Sequence, residues 1–207
     1  MNIVLRKTGK KFNREWIFRN VDLSMESGEK VVLLGPNGSG KSTFLQLLSG
    51  YVTPTEGSLQ WISQGVELAA DSVFQSVAIA TPYLELPEEL SFDELLDFHF
   101  RFKAPISGIS MEEIRQLSGL PTGIQKPVRN FSSGMKQRVR LLLALCSTAD
   151  LILLDEPCSN LDHEAVKWYH ALADRFLTDR TVLVCSNRQE NEFVFCRRQL
   201  EIQTWKN

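Results

Sequence analysis

The sequence predicts an α/β protein: a parallel sheet flanked by helices, with an extra helical segment inserted in the chain. Three observations carry that prediction. Short runs that are apolar throughout recur as Val31-Val32-Leu33-Leu34, Leu151-Ile152-Leu153-Leu154 and Thr181-Val182-Leu183-Val184-Cys185. Strands buried on both faces read this way, and such strands belong to parallel sheets. Between the last two runs Val166, Tyr169, Ala173 and Phe176 recur at helical spacing, with Trp168 and Leu172 widening the stripe, which is the βαβ pattern. From about 87 to 130 no strand-like run occurs, and helical patterns over Phe92–Phe102 and Met111–Leu117 are punctuated by Pro105, Gly108, Gly119, Pro121 and Gly123.

The remaining elements follow in order. Gly35 ends the first apolar run, and Leu45, Leu47 and Leu48 mark a helix that stops at Gly50. Thr53-Pro54-Thr55-Glu56-Gly57 reads as a turn before a strand over 58–62, and Val77-Ala78-Ile79-Ala80 reads as another strand.

With 207 residues the chain can build one core plus a small lobe, and a net charge of −2 points away from a nucleic-acid or anionic-membrane binder. Cys146, Cys158, Cys185 and Cys196 show neither CxxC pairing nor metal-ligand spacing, and read as reduced thiols. The first residues lack the apolar stretch of a secretory signal, and no run approaches the ~20 apolar residues of a membrane span. Direct membrane insertion is therefore not expected; work at a membrane would go through a partner.

Chemistry enters at Gly35-Pro36-Asn37-Gly38-Ser39-Gly40-Lys41-Ser42. The spacing G-x-x-x-x-G-K-S, with a strand before and a helix after, is that of a phosphate-binding loop. Glycines let backbone N–H groups curl around phosphate oxygens, the helix N-terminus adds its positive dipole end, and Lys41 reaches the outer phosphates. Ser42 offers a hydroxyl to Mg²⁺, and Thr43 adds another close by. The plain structural alternative is a glycine-rich turn with an exposed lysine.

Asp155 and Glu156 end the second apolar run. Beside a phosphate loop, Asp155 suits Mg²⁺ and Glu156 suits a general base that polarises the attacking water. Alone, the pair would be an ordinary strand-end turn before Pro157.

A third motif, Phe131-Ser132-Ser133-Gly134-Met135-Lys136-Gln137-Arg138, resembles the LSGGQ signature of the ATP-binding-cassette family. Ser132 and Gly134 match; Phe131, Ser133 and Met135 depart from it. Structurally, Ser132 or Ser133 is also a good N-cap. The resemblance implies a P-loop NTPase core and a site at Ser132, Ser133, Gly134 and Met135 that grips ATP held by a second cassette, in a homodimer or heterodimer. It implies that Asp162, ending Pro157-Cys158-Ser159-Asn160-Leu161-Asp162, communicates between subunits. It implies an adenine-stacking aromatic at Phe12, with Trp16 as rival. It further implies a single cassette whose core lobe covers about 1–82 and 131–207, with a helical subdomain, about 83–130, that docks on a separate transmembrane subunit. The chain would then be cytoplasmic, peripheral on the inner face of the cell membrane.

Two positions depart from the family pattern. Thr81-Pro82-Tyr83 stands where members place a glutamine, and proline has no donor. Asn187 stands where members place a histidine against the γ-phosphate; an amide donates a hydrogen bond but carries no proton. His99, His163 and His170 lie elsewhere. The resulting expectation is slow but real ATP hydrolysis that drives a membrane transporter. The alternative is a nucleotide-gated regulatory subunit or a soluble ATPase with weak hydrolysis. Nothing in the sequence names a transported substrate.

Overall fold

The computed structural model describes residues 1–120 and 126–206, so Pro121 and Gly123 lie outside the described residues. Five strands form a parallel sheet: β3 (Lys30–Leu34), β6 (Val77–Ala80), β7 (Leu151–Asp155), β8 (Thr181–Ser186) and β9 (Arg198–Glu201), in the order β6-β7-β8-β3-β9. The three apolar runs are β3, β7 and β8, and every residue of β7 and β8 is buried.

The reason is visible in how alternate residues divide. Val31, Leu33, Leu151, Leu153 and Leu183 face one hydrophobic cluster, while Val32, Leu34, Ile152, Leu154 and Val182 face another. A strand with apolar contacts on both faces has no polar position to alternate with. The first cluster contains α1 (Lys41–Leu48), whose Phe44, Leu45, Leu47 and Leu48 have no exposed surface. The second contains α4 (Ser133–Cys146) and α5 (His163–Phe176), together with Leu95 and Leu96 of α2 (Phe92–Phe102) and Ile114 of α3 (Met111–Leu117). Both of these last helices occupy the residues that the sequence pattern gives them. Ser91 starts α2 through a capping box with Glu94, and Ser110 caps α3 by accepting from Glu113 N at 3.1 Å.

A second, antiparallel sheet covers the outer side of α1. It consists of β1 (Asn2–Phe12), β2 (Glu15–Met25), β4 (Glu56–Ser63) and β5 (Val66–Leu68), in the order β2-β1-β4-β5. Only β4 has a counterpart in the sequence reading, and it begins at Glu56, inside the expected turn. The hairpin β1–β2 turns tightly at Asn13, whose φ of 53° suits such a turn. Register shifts at Leu5/Thr8 and beyond break its alternation, which is why no clean period-2 pattern marks it.

Phe44 joins the two sheets through α1. It meets Phe18 of β2 edge-on at 5.4 Å and stacks on Trp205 at 5.3 Å. Trp61 of β4 adds a hydrogen bond from Nε1 to Leu48 O at 2.8 Å. Phe44→Ala is expected to destabilise the chain by about 3–5 kcal/mol in denaturant titration, as removal of a fully buried aromatic does.

Candidate nucleotide site

Ligands of parallel sheets bind at the carboxyl ends of the strands. The ends of β3 and β7 meet there, with β8 between them. Gly35 leaves β3, and its N–H donates to Ser186 O at the end of β8, 3.3 Å away. The loop then needs glycine at particular points. A Cβ on Gly35 would stand 2.6 Å from Ile202 Cγ2, and Gly40 combines a φ of 99° with a virtual Cβ only 2.4 Å from Ile17 Cγ2. Neither place admits a larger residue.

Lys41 opens α1 and is buried; its Nζ donates to Gly35 O at 2.8 Å and Pro36 O at 3.1 Å, so the loop's own carbonyls hold the ammonium. Ser42 Oγ donates to Asp155 Oδ2 at 2.6 Å across the sheet. Burial raises the Asp155 carboxyl above its ordinary range; the Ser42 bond opposes this, Glu156 adds to it, and Lys41 opposes it again. Ser39 Oγ is buried without a hydrogen-bond partner among the described residues.

Glu156 adopts a φ of 44°, rare for a residue with a side chain and costly by roughly 1–3 kcal/mol. Its N–H donates to Cys185 O at 2.9 Å and its carbonyl accepts from Ser159 N at 2.9 Å, so the turn is held from both sides. That conformation carries the side chain off the strand and into the cavity.

The cavity, about 260 Å³, brings together Lys41, Ser42, Asp155 and Glu156 with Asn37 through Gly40 and Thr43. Gly35 and Pro36 contribute through their carbonyls instead. Trp16, not Phe12, lines it: Phe12 is 45% exposed and carries Lys10 at 5.0 Å from its ring. Asn187 is exposed and lies outside the lining residues.

The signature segment lies on a second surface cavity, about 230 Å³, which Ser132, Gly134, Met135 and Asp162 share. Ser133 is the first residue of α4 and is not among that lining. Ser132 caps α4 by accepting from Met135 N at 3.2 Å, and Asp162 caps α5 by accepting from Ala165 N at 2.8 Å. Ser132 therefore fills the structural role that the sequence allowed it, and Asp162 has a capping role that the sequence reading did not give it. Gly134 is fixed by a close approach: a Cβ there would meet Asn160 O at 2.8 Å.

A family model described as ABC transporter matches residues 18–159, from β2 through the phosphate loop and signature to the turn after β7. The chain belongs to the ABC transporter family. Among its relatives, the cytochrome c biogenesis ATP-binding export protein CcmA of Cupriavidus pinatubonensis is 32% identical, over 90% of this chain and 84% of its own. The Nod factor export ATP-binding protein I of the same organism is 29% identical over 93% of this chain, which spans 60% of that protein. In structure, a dimeric bacterial ABC transporter cassette superposes with a TM-score of 0.80 at 25% identity, covering 97% of this chain and 94% of its own. A chain described as a putative ABC transporter ATP-binding protein of Pyrococcus furiosus gives 0.81 at 20% identity over the whole of both. The ABC chain is thus an ATP-binding, ATP-hydrolysing subunit.

Three residues near this site escaped the sequence reading. Tyr83 and Lys206 line the cavity, and Glu192 is a fully buried acid close behind it. Tyr83 alone left a signal: it follows a strand whose carboxyl end faces the phosphate loop, in the turn closed by Leu84 N to Thr81 O at 3.2 Å.

Asp155 yields a prediction with a definite sign. A carboxyl whose folded pKa is raised contributes stability at low pH that is lost as pH rises through that pKa. Its ionisation at neutral pH therefore opposes folding. Asp155→Asn is expected to raise the melting temperature of the nucleotide-free chain at neutral pH while reducing ATP turnover severely.

Proposed function

We propose that this subunit binds ATP at the Gly35–Ser42 loop with Mg²⁺, hydrolyses it as one of a pair of cassettes, and drives a separate transmembrane subunit. The observation that carries the reading is the convergence of Lys41, Ser42, Asp155 and Glu156 in one cavity. Mg²⁺ fits the donors: a hydroxyl and a buried carboxylate lie 2.6 Å apart, both hard oxygen ligands, and among the described residues the carboxylate has no hydrogen-bonded cationic partner. When bound, the ion neutralises charge on the outer phosphates. The rest belongs to the chain. Backbone N–H groups of 37–41 and the start of α1 hold the phosphates, Lys41 exchanges its carbonyl partners for phosphate oxygens, and Glu156 accepts a proton from the attacking water. The water oxygen bonds to the γ-phosphorus as its bond to the ADP oxygen breaks. Trp16 supplies the adenine contact, in place of Phe12.

The segment 83–130 serves in this reading as the helical subdomain. A groove of about 230 Å³ runs between α2, α4 and β6, lined by Leu84, Leu86, Phe98 and Leu143, with Lys103 and Arg140 at its edge. Phe98 and Phe102 stand exposed on α2 with rings 5.1 Å apart. We assign the transmembrane subunit to this groove. Tyr83 lines the nucleotide cavity and Leu84 lines the groove, so two consecutive residues reach both sites. Among the described residues no helix is long and apolar enough to cross a membrane. Cytoplasmic residence, held at the membrane by the partner, follows from this assignment, and homodimer or heterodimer depends on that partner. The exporter names of the relatives favour export.

Pro82 has no donor, and Asn187 stands outside the cavity. These favour slow turnover, and a nucleotide-gated subunit is the limiting form of the same reading. The deciding measurement is Mg-ATP turnover of the wild-type chain with its co-purifying membrane subunit against Glu156→Gln. Turnover well above the variant, with ATP binding retained by both, supports the motor reading; equal rates reject it. Trp16→Ala is expected to weaken ATP binding about tenfold in nucleotide titrations, the scale of one lost base–aromatic stack, while Phe12→Ala leaves it unchanged.

A further inference from the structure

Glu192 ends the short turn Glu190–Glu192 that follows β8, and it is completely buried. Its Oε2 accepts from Ser186 Oγ, its carbonyl accepts from Tyr169 OH at 3.0 Å, and the Cys158 N–H acts on the same carboxyl. Oε1 is buried with no hydrogen-bond partner among the described residues. A carboxyl so placed costs stability that a neutral side chain of similar size would not, so packing alone does not account for it.

Its neighbours show what it joins. Ser186 is the last residue of β8; its carbonyl accepts from Gly35 N at the root of the phosphate loop, and Asn187 comes next. Cys158 lies in the turn that Glu156 opens, and its Sγ donates to Asn191 O at 3.5 Å. His170 of α5 bonds the same Asn191 O at 2.7 Å. One carboxyl thus sits between the turn that Glu156 opens and the end of β8, whose Ser186 carbonyl accepts from the root of the phosphate loop.

We propose that Glu192 is a positioning residue of ATP hydrolysis: wedged between the Glu156–Ser159 turn and the end of β8, its carboxyl holds Glu156 in a fixed relation to the phosphate loop. The inference rests on the ATPase reading above. Burial raises the Glu192 carboxyl to about 7; Ser186 opposes the rise, Glu156 and Asp155 add to it, and the Cys158 N–H opposes it. Among the described residues, the other ionisable groups coupled to it are Cys158, Cys185 of β8 and Tyr169 of α5, none of them a cation. The surroundings therefore favour a neutral hydrogen-bonding group, and glutamine is its conservative substitute.

The test is steady-state turnover of the purified full chain with Mg-ATP, for wild type, Glu192→Ala, Glu192→Gln and Ser186→Ala. Glu192→Ala is expected to lower kcat by about 10- to 100-fold with KM within about threefold, the signature of a displaced catalytic group. Glu192→Gln should stay within about threefold of wild type, and Ser186→Ala should lose an intermediate amount of kcat. Wild-type kcat in Glu192→Ala overturns the proposal, and so do equal losses in the Ala and Gln variants. Should Glu192→Ala not fold, Ser186→Ala decides, and wild-type kcat there overturns it. Failure of the ATPase reading looks different: wild type itself would turn over no faster than Glu156→Gln.

Discussion

The hydrogen bond from Ser42 Oγ to Asp155 Oδ2, 2.6 Å long, is the contact around which the molecule is arranged. The two residues are far apart in sequence: Ser42 lies in the first turn of α1, just after β3, and Asp155 ends β7, with β8 between those two strands. For them to meet, β3, β8 and β7 must lie parallel and in register, so that their carboxyl ends finish at one level. Parallel strands require covered faces and crossover helices. The two hydrophobic clusters, α1 on one side and α4 and α5 on the other, meet that requirement. The antiparallel sheet then covers α1 and contributes Trp16 and Ile17 to the cavity wall.

The same place is where the chain gives up stability. Asp155 and Glu192 are buried acids with raised pKa, and Glu156 holds a left-handed conformation. Each costs free energy in the nucleotide-free fold; Asp155 and Glu156 line the cavity, and Glu192 is buried. Strain and unpaired charge persist at a functional site only where the surrounding structure over-determines them. Here the parallel sheet does so, through the Cys185 carbonyl on Glu156 N and the Ser186 carbonyl on Gly35 N. β8 thus holds both the turn that Glu156 opens and the root of the phosphate loop.

The nucleotide cavity also adjoins the apolar groove. The turn after β6 passes from the nucleotide cavity at Tyr83 to the apolar groove at Leu84 without an intervening residue. Arg140 Nε on α4 donates to Leu84 O at 2.7 Å, tying this turn to the helix that Ser132 caps. Nucleotide cavity, groove and signature segment are thereby linked through one short turn and one helix. Lys103 closes the groove from α2, donating to Phe74 O at 2.9 Å, and burial lowers its ammonium to about 8.

The sequence by itself determined the elements whose environment is uniform along their length. A strand apolar on both faces, as β7 is, and a helix with one apolar stripe, as α5 is, write their surroundings into composition and period. The phosphate loop was equally legible, because glycines at fixed spacing and a lysine answer to local backbone geometry alone. The tertiary structure decided the rest. It placed Trp16 rather than Phe12 on the cavity, because register shifts in β1 and β2 set which face each aromatic takes and no local pattern encodes them. It left Asn187 outside the cavity, brought Tyr83 into it and buried Glu192 behind it. Those outcomes depend on where separate strands end relative to one another, and that relation exists only once the sheet has formed.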